Sequence, residues 1–205
     1  MSIDICIPSC KTGYELSGQI GEMIISDPSV ARNIVYSCIE DGSAAVNRNR
    51  CLDLTTAEYV VMVDDDITGF FPGWHEAMVK PLIDNPDVIY VSARLMTEYG
   101  DPQMVMGYSK DTRTPYVPIN IAPSAAWAFR NDGTRFWEEY KGSGFEDTDF
   151  HFTLKEMYGN KSRVILNNLV KLTHQHEMKN QNKWFNHNGI IFERRWPGKR
   201  AMLCL

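Results

Sequence analysis

The sequence predicts an α/β fold with a mainly parallel central sheet covered by helices on both faces. Strand-like apolar runs alternate with helix-patterned segments through residue 92, the order that yields parallel strands joined by helical crossovers. The chain has 205 residues, 43% of them hydrophobic and 23% charged, which suits one domain with a sizeable core. An aromatic content of 11% excludes a disordered chain, and no repeat, low-complexity tract or linker interrupts the pattern.

Each element has a local cause. "IDICIP" reads as a short buried strand ended by Pro8. In "GYELSGQIGEMIIS", Leu16, Ile20, Met23 and Ile24 fall on one face of a helix. "NIVYSCI" is a second strand, stopped by the turn signal Asp41-Gly42. "SAAVNRNRCLDLT" spaces Ala45, Asn49 and Leu52 for a helix, and "EYVVMV" is a third strand. "PGWHEAMVKPLIDN" is a helix with proline in its first turn, which Pro81 should end or kink. "VIYVSAR" is a fourth strand. Residues 100–123, with four prolines among short polar stretches, predict an excursion of loops and short strands. "SAAWAF" is a further strand, "FEDTDFHFTLKEMYG" a helix and "NLVKLTH" a late strand.

Charge and cysteine usage narrow the setting. The net charge of -5 is unevenly spread: Lys179 to Arg200 holds six basic residues and one acid, about +5, leaving the remainder near -10. The same segment carries Trp184, Phe185, His187, Phe192 and Trp196; it reads as a C-terminal helix with a solvated face or as an anion-binding surface. Five cysteines without a CxxC pair argue against disulfide and zinc frameworks. No apolar run approaches the roughly 20 residues of a membrane span, and the start lacks the pattern of a signal peptide. A reduced, cytoplasmic protein is expected.

Three consecutive carboxylates, Asp64, Asp65 and Asp66, follow the apolar run of the third strand. Like charges this close need water, a cation or hydrogen-bond donors to compensate them. In an extended strand end, Asp64 and Asp66 face together while Asp65 turns aside. In open α/β sheets, ligands sit beyond the carboxyl ends of the strands, where these acids fall. Two convergent carboxylates favour a hard divalent cation, and such a cation suits a diphosphate.

The surrounding stretch "AAVNRNRCLDLTTAEYVVMVDDD" resembles the "AARNRGLELATGEYVLFLDDD" block of GT-A glycosyltransferases, the inverting family 2 in particular. "DICIPSC", "FPGWHEAMVKPLIDNPDVIYVSARL", "SAAWAFRND" and "GSGFEDTDFHFTLKEMYG" are similar to further blocks of that family, in family order, across most of residues 3–174. The resemblance implies a GT-A, Rossmann-like sheet, with residues of about 1–92 forming a nucleotide-binding half. Residues of about 93–178 would form an acceptor and catalytic half, followed by a basic segment over 179–205. Pro8 and Ser9 would line the nucleotide pocket, Arg48 would lie near base or phosphate, and Asp64 would hold the ribose or support the metal, with Asp65 beside it. Asp66 would ligate Mn²⁺ or Mg²⁺, with His174 as the remaining protein ligand and His176 in reserve. Asp147 would be the general base, and Glu146 would contact the acceptor or orient that base. Trp127, Lys179, Lys183, Arg194 and Arg195 are the candidate acceptor surface.

The chain departs from the family before residue 44. Only about forty residues separate the first strand from "RNR", so one strand-helix unit is missing or fused, and Asp41 or Glu40 would take over base recognition. The function implied is metal-dependent transfer of a sugar from a nucleoside diphosphate donor, UDP-linked, to an acceptor hydroxyl with inversion. The compact length resembles minimal glycosyltransferases of phages and other viruses. The acceptor is therefore a saccharide or glycoconjugate, or a hydroxymethylated pyrimidine in phage DNA. A nucleotide-binding module that has lost transfer activity is the alternative. A nucleotidyltransferase would need a glycine-rich, lysine-bearing loop near the first strand, which this sequence lacks.

Overall fold

Alternation of buried side chains along the strands dictates two cores, one on each face of a single sheet. The computed structural model describes residues 1–9, 11, 13–38, 43–103, 109–121, 123–175 and 183–200; Glu40, Asp41, His176 and Lys179 lie outside the described residues. The elements run β1 (Ile3–Ser9), α1 (Gly13–Ser26), a 3-10 turn (Pro28–Arg32), β2 (Ile34–Cys38), α2 (Ala44–Leu54), β3 (Tyr59–Val63), β4 (Ile67–Thr68), α3 (Trp74–Asp84), β5 (Val88–Met96), β6 (Tyr116–Ile119), β7 (Ala126–Arg130), α4 (Glu146–Tyr158), β8 (Arg163–His174) and α5 (Phe185–Arg195). The sheet order is β2-β1-β3-β7-β5-β8-β4, with β6 paired to β8. Parallel pairing of β1 with β2 and β3, and of β5 with β8, gives those five strands one direction, because β7 runs antiparallel to both β3 and β5. The sheet is mixed and mainly parallel, as the alternation predicts.

Ile3, Ile5 and Ile7 of β1 join Tyr59, Val61 and Val63 of β3 under α1 and α3. Cys6, Val60 and Met62 point the other way, into a core with Leu52 of α2 and Phe150 and Leu154 of α4. Trp127 stands in the middle of that second core. Its ring stacks on Tyr90 at 4.5 Å and on Phe129 at 4.7 Å, with Phe150 edge-on at 5.4 Å. Trp127 is 0% exposed, so the expectation that it contacts an acceptor is corrected: it is a packing residue.

Pro81 lies inside α3 and does not end it. A proline in a helix interior orphans the carbonyl four residues earlier, which is that of Ala77. The buried side chain of Asn167 on β8 supplies the missing donor, at 2.9 Å from Ala77 O. The late strand is also longer than "NLVKLTH", because Arg163–Asn167 pair with the start of β5 before a register shift carries Lys171 opposite Arg94. Arg94 is fully buried at this shift and donates to Asn168 Oδ1, Ser109 O and Asp111 O, which ties the proline-rich excursion to the sheet.

His151 of α4 is 1% exposed and lies beside the Tyr90 ring at 5.6 Å. Burial, aided by the Lys155 charge, pushes its pKa from 6.5 down to about 3. The unfolded chain then binds a proton that the native state refuses, so stability is intact above pH 6.5 and falls as the pH drops toward 3. His151→Phe should remove this sensitivity. Urea unfolding at about pH 7 and about pH 4.5 should show the wild type losing about 2 kcal/mol more than the variant; equal losses would mean that His151 titrates normally.

Candidate active site

The carboxyl end of β3 sets the site. Val63 pairs with Ala126, and Asp64 N continues the ladder to Ala125 O at 2.7 Å before the chain turns. Gln19 of α1 holds that turn from beneath, donating to Asp64 O at 2.8 Å and Ile67 O at 3.0 Å. β4 then pairs antiparallel with the end of β8, Ile67 opposite His174, which delivers the imidazole to the acidic turn. Gln175 N donates to Asp66 O at 3.0 Å and closes the connection.

Each of the three acids meets a different cation or donor. Asp64 Oδ1 lies 3.4 Å from Arg48 Nη2. Asp65 turns aside, accepts from Ser9 Oγ, and pairs with Lys11 Nζ at 3.2 Å. Asp66 Oδ1 faces His174 Nε2 at 3.3 Å. Pro8, Ser9, Arg48, Asp64, Asp65, Asp66 and His174, together with Ala44, Asn47, Gly142 and Ser143, line one cavity of about 450 Å³. That size falls in the range of roughly 300–1,000 Å³ of small-molecule sites.

Arg48 comes from α2, whose N-terminus is capped by Ser43 accepting from Val46 N. Its guanidinium is buried, with Nη1 donating to Glu146 Oε1 at 2.6 Å and the Phe136 ring 5.5 Å away. Burial opposes its charge, but Glu146, Asp64 and Asp147 outweigh that and raise its pKa, so it stays protonated. Glu146 is only 2% exposed, and burial, against the opposing Arg48 charge, lifts its pKa to about 7. Burial likewise lifts Asp64 to about 6, opposed by Arg48 and helped by Asp66. Glu146 therefore does not reach an acceptor as one branch of the sequence reading expects. It holds Arg48 in place.

Asp147, the next residue, is half-buried; it accepts from Ser124 Oγ and from Thr148 N at 2.6 Å. It sits outside the lining of the cavity, beside the Arg48–Glu146 pair whose arginine its charge stabilises.

A metal can be tested against His174. Its Nδ1 lies 2.9 Å from Gln103 Oε1, which as an acceptor fixes the proton on Nδ1. Its Nε2 is then the atom that faces Asp66 Oδ1, 3.3 Å away. A proton or a cation between the two suits this approach, and one imidazole with one carboxylate suits Mn²⁺ or Mg²⁺. Among the described residues no group of three His, Cys, Asp or Glu side chains is arranged as a complete metal cage; the side chain of Asp64 is turned to Arg48.

The basic C-terminal segment forms a helix, α5, as one of its two readings expects, but its arginines are not the open acceptor contacts of the other. Arg195 donates to the buried Asp149 carboxylate at 2.6 and 3.1 Å, and Trp196 Nε1 adds a third bond at 2.9 Å. Arg194 pairs with Glu139. Both charges are engaged within the chain, so Arg195 is an anchor of α5 and not an open acceptor contact. Lys183 stays on the surface, its Nζ 5.2 Å from the Trp184 ring. Residues missed in the sequence include Lys11, Gln19, Gln103 and Ser124; each acts through a polar contact 23 to 71 positions away, which local pattern does not encode.

This fold recurs in known structures. S. aureus TarS 1–349 superposes with a TM-score of 0.56 at 15% identity, over 85% of this chain and 60% of that one. GalNAc-T7 with UDP, GalNAc and Mn²⁺ gives a TM-score of 0.63 at 9% identity, over 96% of this chain and 42% of that one. The fold is GT-A. The chain thus spans 60% and 42% of the length of these two solved chains. No family model and no curated protein matches it.

The Arg48–Glu146 pair yields a stability prediction. Glu146 is raised above its unfolded value of 4.5, so its titration favours the native state at low pH and costs stability as the pH rises through about 7. Arg48→Met strands the carboxylate, and loss of one partner of a buried pair costs about 3 kcal/mol or more. Chemical denaturation should show that loss at about pH 8 and a clearly smaller one at about pH 5.5, where Glu146 takes up a proton. A pH-independent loss would show that the pair is not electrostatically coupled.

Proposed function

We propose that the protein is a metal-dependent glycosyltransferase that moves a sugar from a nucleoside diphosphate donor, UDP-linked, to an acceptor hydroxyl with inversion. The observation that carries this reading is the convergence of Ser9, Arg48, Asp64, Asp65, Asp66 and His174 on one cavity at the carboxyl ends of the strands in a GT-A fold. The UDP and Mn²⁺ of the GalNAc-T7 structure support a similar donor and ion here.

Asp66 and His174 would hold Mn²⁺ or Mg²⁺, which when bound supplies Lewis-acid stabilisation of the departing diphosphate. Arg48, kept protonated by Glu146, offers a second fixed positive charge to the same leaving group. Ser9 and Pro8 wall the nucleotide side. Asp147 takes the proton from the acceptor hydroxyl as its oxygen attacks the anomeric carbon. Ser124 orients that carboxylate by donating to one of its oxygens, leaving lone pairs for the incoming proton. A saccharide or glycoconjugate acceptor is favoured over DNA, because Arg195 is committed to the buried Asp149 carboxylate and is not open to a phosphate backbone.

UDP with Mn²⁺ at about 100 times its dissociation constant should stabilise the protein by about 2.7 kcal/mol, read as a thermal shift. The shift should vanish in EDTA and in Asp66→Ala. Equal UDP affinity with and without the ion would overturn the metal's role. Asp147→Asn should bind UDP and Mn²⁺ like the wild type yet lower transfer or donor hydrolysis by roughly 10²-fold or more. A variant that transfers at the wild-type rate would reduce Asp147 to a helix-end acid.

A further inference from the structure

The turn that leads into α4 is gripped by a helix from the far end of the chain. Asn188 of α5 is 0% exposed, and its side chain is directed at that single turn. Oδ1 accepts from Lys141 N at 2.9 Å, while Nδ2 donates to Lys141 O at 2.8 Å, Gly144 O at 3.0 Å and Ser143 O at 3.2 Å. An amide has two N–H groups, here shared among three carbonyls, so its donors are wholly committed to residues 141–144.

Three consequences meet at this turn. Gly142 and Ser143 line the cavity that holds the acidic triplet. Gly142 O accepts from Ala44 N at 2.7 Å, which ties the turn to the first residue of α2, the helix that carries Arg48. Phe145, the residue after the turn, has φ 72, a left-handed backbone that a bulky side chain adopts only when its surroundings enforce it. α5 supplies that enforcement too, with Phe185 and Phe192 at 4.9 and 5.3 Å from the Phe145 ring. Glu146 and Asp147 follow immediately, so the strained residue sets where they point. Trp184 closes the other side: a Cβ on Gly142 would meet its Cδ1 at 2.6 Å.

We propose that Asn188 is a positioning residue that, from α5, fixes the Lys141–Gly144 turn, and through it one wall of the donor cavity and the start of the Glu146–Asp147 helix. The assignment of that cavity to a donor rests on the function proposed above. An asparagine that served the fold alone would lower the melting temperature without altering the turn or the site.

The test uses the full chain with Asn188→Ala and Asn188→Asp, the second keeping shape while setting a carboxylate against three carbonyl oxygens. Gly142→Ala disturbs the same turn through Trp184 and carries the test if the Asn188 variants fail to fold. Ile190→Ala, on the exposed side of α5, is the control. At a temperature well below each melting point, amide exchange over residues 141–145 should accelerate about tenfold or more. UDP·Mn²⁺ affinity should fall about tenfold, and hydrolysis of a UDP-sugar by about 10²-fold, as misplacement of positioned groups entails. The control should match the wild type in all three. Wild-type exchange and wild-type UDP·Mn²⁺ affinity in variants that merely melt earlier would overturn the proposal. If the wild type binds no UDP, the donor reading fails, and the exchange rates alone decide whether Asn188 sets the turn.

Discussion

Three adjacent carboxylates are the constraint around which this molecule is arranged. Two unit charges 4 Å apart at a protein surface interact by about 4 kcal/mol, so an uncompensated triplet at a strand end would oppose its own fold. The structure resolves this by giving each acid a separate counterpart from a different element: Arg48 of α2 for Asp64, Ser9 at the end of β1 and Lys11 just beyond it for Asp65, and His174 of β8 for Asp66. The cost of the triplet thereby becomes a means of convergence. Sheet order is what allows it, since β1 lies beside β3 and the short β4 brings the end of β8 back to the turn.

The same logic extends outward in shells of alternating charge. Arg48 offsets Asp64, and Glu146 in turn offsets Arg48, its charge resisted by burial and favoured by the arginine. Farther out, Asp149 gathers Tyr140, Arg195 and Trp196 around one buried carboxylate and locks α5 to α4. The strong local excess of basic residues near the C-terminus is thus partly an internal matter. Arg194 and Arg195 complete ion pairs with Glu139 and Asp149, and the aromatic residues of the segment build a third, smaller core with Tyr140 and Phe145.

Much of this was legible in the sequence. The helix expected over residues 13–26 is α1 to the residue, because its apolar face alone defines it. The grouping of Asp64, Asp66, Arg48 and His174 was also legible, through spacing within strands and through resemblance to a family. What escaped were long-range compensations. Pro81 marks a helix end unless Asn167, on another element, replaces the lost donor. Trp127 looks like a surface aromatic until Tyr90 and Phe150 enclose it. Arg195 looks like a free charge until Asp149 is known to lie buried beneath it. In each case the deciding partner stands tens of residues away, where periodicity carries no information.

The antiparallel β7 has a consequence for how the chain acquires its shape. β7 lies between β3 and β5, so neither of those strands meets the other. A growing chain that has reached residue 96 therefore holds one unfinished piece of sheet, β2-β1-β3, with a bare hydrogen-bonding edge where β7 belongs, and a β5 whose two partners both lie further along the chain. β3 is buried at every position in the finished molecule, so that edge is unusually apolar while it waits. β2-β1-β3 and β5 cannot be joined before β7 is made. The two are joined only once residues 126–130 have been inserted as a keystone, and β8, later still in the chain, then brings His174 to the acidic turn.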